Sequence, residues 1–170
     1  MGTQQRESLL LNKNSTKYKQ KPPLHLIVRG RFFCYAFSRK GGDFMAWIEY
    51  NPNPRRNRVG DCAIRAVAKA TDQDWEMAYT GLYVKGYSMG DLPSANSVWG
   101  AYLRDRGFKR AIVPNTCPDC FTVEDFCREH THGMFVLALD GHVVTVVDGN
   151  YFDTWNSGNE PVLYYWYKEE

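Results

Sequence analysis

In the stretch "RVGDCAIRAVAKAT", Cys62 stands directly after Gly60 and Asp61 and directly before a run that reads as a helix. In the first turn of a helix, free backbone N–H groups and the positive end of the dipole stabilise a thiolate, so a cysteine there is placed to act as a nucleophile. The same position suits the first buried residue of an apolar face continued by Ala66, Val67 and Ala70, since free cysteines are among the most buried residue types. A cysteine nucleophile needs a general base, usually His, and a third group to orient that base. Of the four histidines, His25 lies in a basic N-terminal segment and His130 and His132 end a short helix pattern. The fourth, His142, opens the strongest strand pattern of the chain, "GHVVTVVDGNYFDTW", and is the candidate base.

That strand pattern fixes its own pairing. Asp148 and Gly149 form a two-residue turn of the favoured Asp-Gly kind, so Val147 faces Asn150 and all facing residue numbers sum to 297. His142 then faces Trp155, and Asp153 faces Val144. Because side chains alternate along a strand, His142, Val144, Tyr151, Asp153 and Trp155 project from one side. Asp153 becomes a diagonal neighbour of His142, with Cβ atoms roughly 7 Å apart. A carboxylate flanked by Tyr151 and Trp155 is costly unless it is paired, and His142 is the partner within reach.

The elements that must position these groups follow from pattern and turn chemistry. "MAWIEYNPN" predicts a short strand ended by an Asn/Pro turn, and "PRRNRVG" a basic loop leading to Cys62. A helix is expected from about Asp61 to Ala70. A second, in "TDQDWEMAYTGLYVKGY", takes Thr71 or Asp72 as its cap, and a third, in "PSANSVWGAYLRDRGF", takes Ser94 as its cap and Gly107 as its C′ residue. "KRAIV" reads as a strand and "TVEDFCREH" as a short helix capped by Thr122. Four strands follow in "MFVLAL", "HVVTVV", "NYFDTW" and "VLYYWY", expected as an antiparallel meander with the helices gathered on one side, an α+β layout. The basic residues of "RAVAKA" and "WGAYLRDRGFKR" are expected on solvated helix faces.

The 170-residue chain is 44% apolar and 15% aromatic, the composition of a folded protein with one substantial core. Its net charge of +2 hides an asymmetry: residues 1–44 hold nine Lys and Arg against Glu7 and Asp43, which leaves residues 45–170 at −5. Residues 1–44 show no sustained period and read as a basic appendage, either a disordered arm able to touch nucleic acid or acidic lipid or a stretch that is not translated in the cell. "KGGDFM" can be encoded as AAA GGA GGT GAT TTT ATG, which contains a bacterial ribosome-binding sequence ahead of an ATG, so the expected true start is Met45 and the appendage untranslated upstream sequence. An acidic domain over 45–170 removes the main support for a nucleic-acid partner. "LHLIVRGRFFCYAF" is broken by Arg29, Gly30 and Arg31 and cannot cross a bilayer as a continuous apolar helix, so no membrane partner is expected. The cysteines are odd in number (Cys34, Cys62, Cys117, Cys120 and Cys127) and no signal-peptide pattern precedes them, which points to reduced thiols in a cytoplasm.

With Cys62 in "GDC", His142 in "GHVV" and Asp153 in "DTW" taken together, the chain from about Asn57 to Trp155 resembles the papain-like cysteine peptidase superfamily. It is most similar there to the small bacteriocin-processing-type peptidases, which use "DC" before a helix, and to small proteins of phages and prophages in low-GC bacteria. The resemblance implies a papain-like α+β domain over 45–170, its N-terminal helices packed on a C-terminal antiparallel sheet. It further implies a Cys62–His142–Asp153 triad that attacks an amide or isopeptide bond of a peptide or protein substrate, without metal or organic cofactor. The superfamily usually places a Gln a few residues before the nucleophile to complete the oxyanion hole. Here the nearest amide is Asn57, shorter but able to donate alongside the Cys62 N–H. A Cys-His cell-wall amidase or endopeptidase of phage type shares these motifs, and so does a catalytically idle papain-like binding module.

A second cluster, "CPDCFTVEDFCREH", has Cys117 and Cys120 at C-x2-C spacing, with Cys127 and His130 one helical turn apart. Those four residues have the chemistry of zinc ligands. The connecting loop is too short for a usual zinc ribbon, and the favoured reading is a Pro-containing turn with Cys127 packed inward beside Phe126, with no metal bound.

Overall fold

The computed structural model describes residues 45–57, 59–114 and 118–169. The N-terminal segment 1–44, with the expectation of a start at Met45, and Cys117 lie outside the described residues. Those described form an α+β fold of four helices and one six-stranded, mostly antiparallel sheet.

The order along the chain is β1 (Trp47–Glu49), α1 (Cys62–Ala70), α2 (Trp75–Met89), α3 (Asn96–Arg104), β2 (Lys109–Ile112), α4 (Val123–Glu129), β3 (Met134–Leu139), β4 (His142–Val147), β5 (Asn150–Asp153) and β6 (Tyr164–Tyr167). The β4–β5 hairpin has the pairing expected from its turn: Val147 faces Asn150, Val146 faces Tyr151 and Thr145 faces Phe152. Asp148 and Gly149 both take positive φ, 48° and 72°, the geometry that lets a two-residue turn match the twist of its strands.

The four C-terminal strands are not a simple meander. The sheet order is β1-β5-β4-β3-β6-β2. After β5 the chain crosses back so that β6 pairs antiparallel with β3, while β1 pairs parallel with β5 and covers its edge. Nor do the helices share one side. Strand alternation sends Val136, Ala138 and Val143 into a core with α1, α2 and α3, and sends Leu137, Leu139, Val144 and Val146 into a second core with Val123, Phe126 and Cys127 of α4. Both faces of β3 and β4 are thus apolar, which is why these strands read as near-continuous Val/Leu runs.

Helix starts differ from expectation at two places. Asp74, not Thr71 or Asp72, caps α2 by accepting from the Met77 N–H at 2.7 Å. Asp72 instead sits in the turn before it at φ 52°. The third helix begins after Ala95 with no side-chain cap, so Ser94 does not serve. Thr122 does cap α4, in a reciprocal capping box with Asp125.

Helix α1 lies along β4, tied by Thr145 Oγ1 donating to the Ala66 carbonyl at 2.9 Å. One turn back along the helix and three residues back along the strand, the start of α1 meets the start of β4. This juxtaposition places Cys62 beside His142.

Candidate active site

Cys62 is the first residue of α1, half-buried. Burial pushes its thiol up. The opposing effects are a hydrogen bond with the His142 side chain, the charge of that imidazole, and hydrogen bonds with the backbone of Val143 and Ala63; together they bring the thiol below its ordinary value. The Ala63 contact is the helix-start effect in material form, a free amide turned toward the sulfur.

His142 opens β4 and Asp153 closes β5, so the hairpin delivers both to the same end of the sheet. His142 Nε2 lies 2.6 Å from Asp153 Oδ2, which leaves the other ring nitrogen for the thiol. Burial lowers the imidazole's proton affinity. The hydrogen bonds and charges of Asp153 and Cys62 outweigh it and raise the group to about 9. A lowered thiol beside a raised imidazole favours passing the proton from sulfur to ring, and the two groups titrate as a coupled pair. Trp155 keeps the neighbourhood its pairing predicts, its ring 5.3 Å from that of His142, although β5 ends before it.

Asp153 is 2% exposed, and its carboxylate is fully engaged. Oδ2 also accepts from Ser157 Oγ at 2.7 Å, and Oδ1 accepts from the Thr154 N–H at 2.7 Å. Its backbone carbonyl accepts from the Tyr50 N–H at 2.9 Å and from Trp47 Nε1 at 3.1 Å, so β1 clamps the strand end that carries the acid.

Asn57 is exposed and lines, with Gly60, Cys62, Arg65, His142 and Trp155, a cavity of about 760 Å³ that opens onto the thiol. Cys62, His142 and Asp153 are brought into one contiguous chain of contacts; Asn57 stands on the cavity wall beside them.

The pattern reading missed the groups behind this chain. Asp61 does not cap α1 with its side chain. It is buried, pairs with Arg65, and accepts from Trp75 Nε1 at 2.9 Å and Asn53 Nδ2 at 3.3 Å. Arg65, expected on a solvated face, is buried too. The i, i+4 spacing of Asp61 and Arg65 was the available signal, since an acid and a base so spaced can pair wherever the helix faces.

Of the second cluster, Cys117 lies outside the described residues; among those described, no three His, Cys, Asp or Glu side chains are grouped as metal ligands would be. Cys127 is buried beside Phe126 in the α4 core, and His130 is spent on packing. Its ring stacks on Phe126 at 3.9 Å and its Nδ1 contacts the Phe126 carbonyl at 3.0 Å. Cys120 is exposed.

No helix among the described residues is long and apolar enough to cross a membrane. No family model matches the chain, and neither does any curated protein or solved structure.

Proposed function

We propose that this protein is a cysteine-dependent hydrolase of papain-like type, acting in the cytoplasm on an amide or isopeptide bond of a peptide or protein. The observation that carries the reading is the 2.6 Å contact between His142 Nε2 and Asp153 Oδ2, on an imidazole whose remaining nitrogen serves a thiol at a helix start. A core histidine also needs a partner, but His142 in addition lowers the thiol of a cysteine that faces a cavity.

In the first step the Cys62 thiolate attacks the substrate carbonyl carbon and forms a C–S bond. The oxyanion is held by the Cys62 N–H and the Asn57 side-chain amide. The imidazolium of His142 gives its proton to the departing nitrogen, the C–N bond breaks, and a thioester remains on Cys62. Water then attacks the thioester carbonyl as His142 takes its proton. The C–S bond breaks, the acid product leaves, and the thiolate–imidazolium pair is restored. Asp153 keeps the ring in the tautomer and orientation both steps require.

The test needs no knowledge of the natural substrate. With p-nitrophenyl acetate, the reading expects a burst of p-nitrophenol and an acetyl group on the Cys62 peptide by mass spectrometry, both lost in Cys62→Ala and His142→Ala. Acetylation of Cys62 no faster than that of the exposed Cys120 would leave a binding module as the better account.

A further inference from the structure

We propose that Arg65 is the positioning residue of this site: a buried guanidinium that joins the carboxylate behind His142 to the carboxylate beside Cys62, and whose positive charge maintains the thiolate. The proposal rests on the cysteine-hydrolase reading and assigns a device that governs the same site.

Three observations carry it. Asp61, Arg65 and Asp153 are the buried charged side chains among the described residues, and all three lie together directly behind the thiol and the imidazole. Arg65 pairs with Asp61 through Nη1, and its Nη2 stands 3.8 Å from Asp153 Oδ1. That is the carboxylate oxygen opposite the one that meets His142. Finally, Arg65 and Cys62 belong to the same short helix while Asp153 ends a strand, so the guanidinium links the element carrying the nucleophile to the element orienting the base.

Charge balance turns this geometry into a prediction. Two buried carboxylates and one guanidinium leave one negative charge in excess, and a protonated His142 neutralises it. Ionising Cys62 then adds one more negative charge. Without Arg65 the cluster already carries one surplus negative charge when His142 is protonated, and the thiolate would bring it to two; burial makes such an imbalance far more costly than it is in water. Other titratable groups around the pair are Glu49 and Arg56 on the cavity wall and Tyr50, whose ring packs against Phe152. Lys69, further along α1, is held over the Phe152 ring at 4.0 Å. Glu49 and Arg56 are exposed and solvent-screened, whereas Asp61, Arg65 and Asp153 are buried.

The experiment measures the rate at which iodoacetamide alkylates the Cys62 peptide of the full chain as a function of pH, with Cys120 as the in-sample control. Removing a positive charge disfavours the thiolate, so Arg65→Gln is expected to raise the midpoint by about one pH unit, about tenfold slower labelling on the acid side. Arg65→Lys keeps the charge and should restore the midpoint. Asp61→Asn removes a negative charge and should lower it, and Asp61→Asn/Arg65→Gln, balanced again, should return it toward wild type. A packing role alone would give no opposed signs and no recovery in the double variant. An unmoved midpoint in Arg65→Gln, or a shift that neither Lys nor the double variant reverses, overturns the proposal. If Arg65→Gln does not fold, Asp61→Asn decides by its sign: a downward shift supports, an unmoved or upward one overturns. The underlying reading fails separately, if wild-type Cys62 labels like an ordinary thiol and His142→Ala changes nothing.

Discussion

Two helices carry a cysteine apiece against opposite faces of the same sheet, and the two thiols are driven in opposite directions. Cys127 sits inside α4, walled by Val123, Phe126 and Leu137, and burial, with a smaller contribution from the charge of Glu124, pushes it up to about 12. Cys62 is also partly buried, yet it falls below its ordinary value because His142 and two backbone contacts act against burial. Burial alone makes a cysteine a small hydrophobe. A cysteine becomes a nucleophile when a helix start, an imidazole and an open cavity coincide on it. The comparison also separates two uses of histidine. His130 stacks on Phe126 and serves the α4 core, whereas His142 is held between a carboxylate and a thiol.

The largest expected effect breaks the contrast outright. His142→Ala should slow acyl transfer to Cys62 by about two to four orders of magnitude, the usual contribution of a general base. It should leave Cys127 as unreactive as before, and acylation kinetics with peptide mapping reads both thiols in one sample.

Next in size is the converse change on the other face. Phe126 is fully buried in the α4 core, so Phe126→Ala should cost about 3 to 5 kcal/mol of stability by urea unfolding. The pH midpoint of Cys62 labelling should stay where it is under native conditions. A shifted midpoint would mean that the two faces are coupled.

The imidazoles provide a sharper comparison. NMR titration should find the His142 ring losing its proton only near pH 9, well above the ordinary histidine value of about 6.5. Cleavage of an amide substrate should therefore rise with pH as the Cys62 thiol ionises and fall again as His142 deprotonates through about 9, since the leaving nitrogen then lacks its proton donor. Iodoacetamide labelling, which needs only the thiolate, should show the rise without the fall. In Asp153→Asn the His142 titration should move down, because its strongest upward influence is gone.

The smallest effect tests the α4 face at its edge. Thr122→Ala removes the capping box with Asp125 and should cost about 1 kcal/mol in urea unfolding, with no change in either thiol.

Much of the site was legible in local pattern. An Asp-Gly turn sets a register, register sets alternation, and alternation puts His142 and Asp153 on the same side of a hairpin whose pairing needs no information from elsewhere. Thr122 and Asp125 specify a helix start in the same self-contained way. Failure came where several local answers compete. Thr71, Asp72 and Asp74 are all competent caps, and only the path of the chain between α1 and α2 selects Asp74.

The sequence by itself determined which residues are candidates for the chemistry, which segments form helices and strands, and how β4 pairs with β5, because turn and period are short-range properties of the chain. Tertiary structure decided the rest. It placed β6 beside β3, covered both faces of the sheet, brought the start of α1 to the start of β4, and buried Arg65 between Asp61 and Asp153. Each of these depends on groups distant in sequence: a window around Arg65 contains Asp61 but not Asp153, and the energy of a buried charge is set by all its partners.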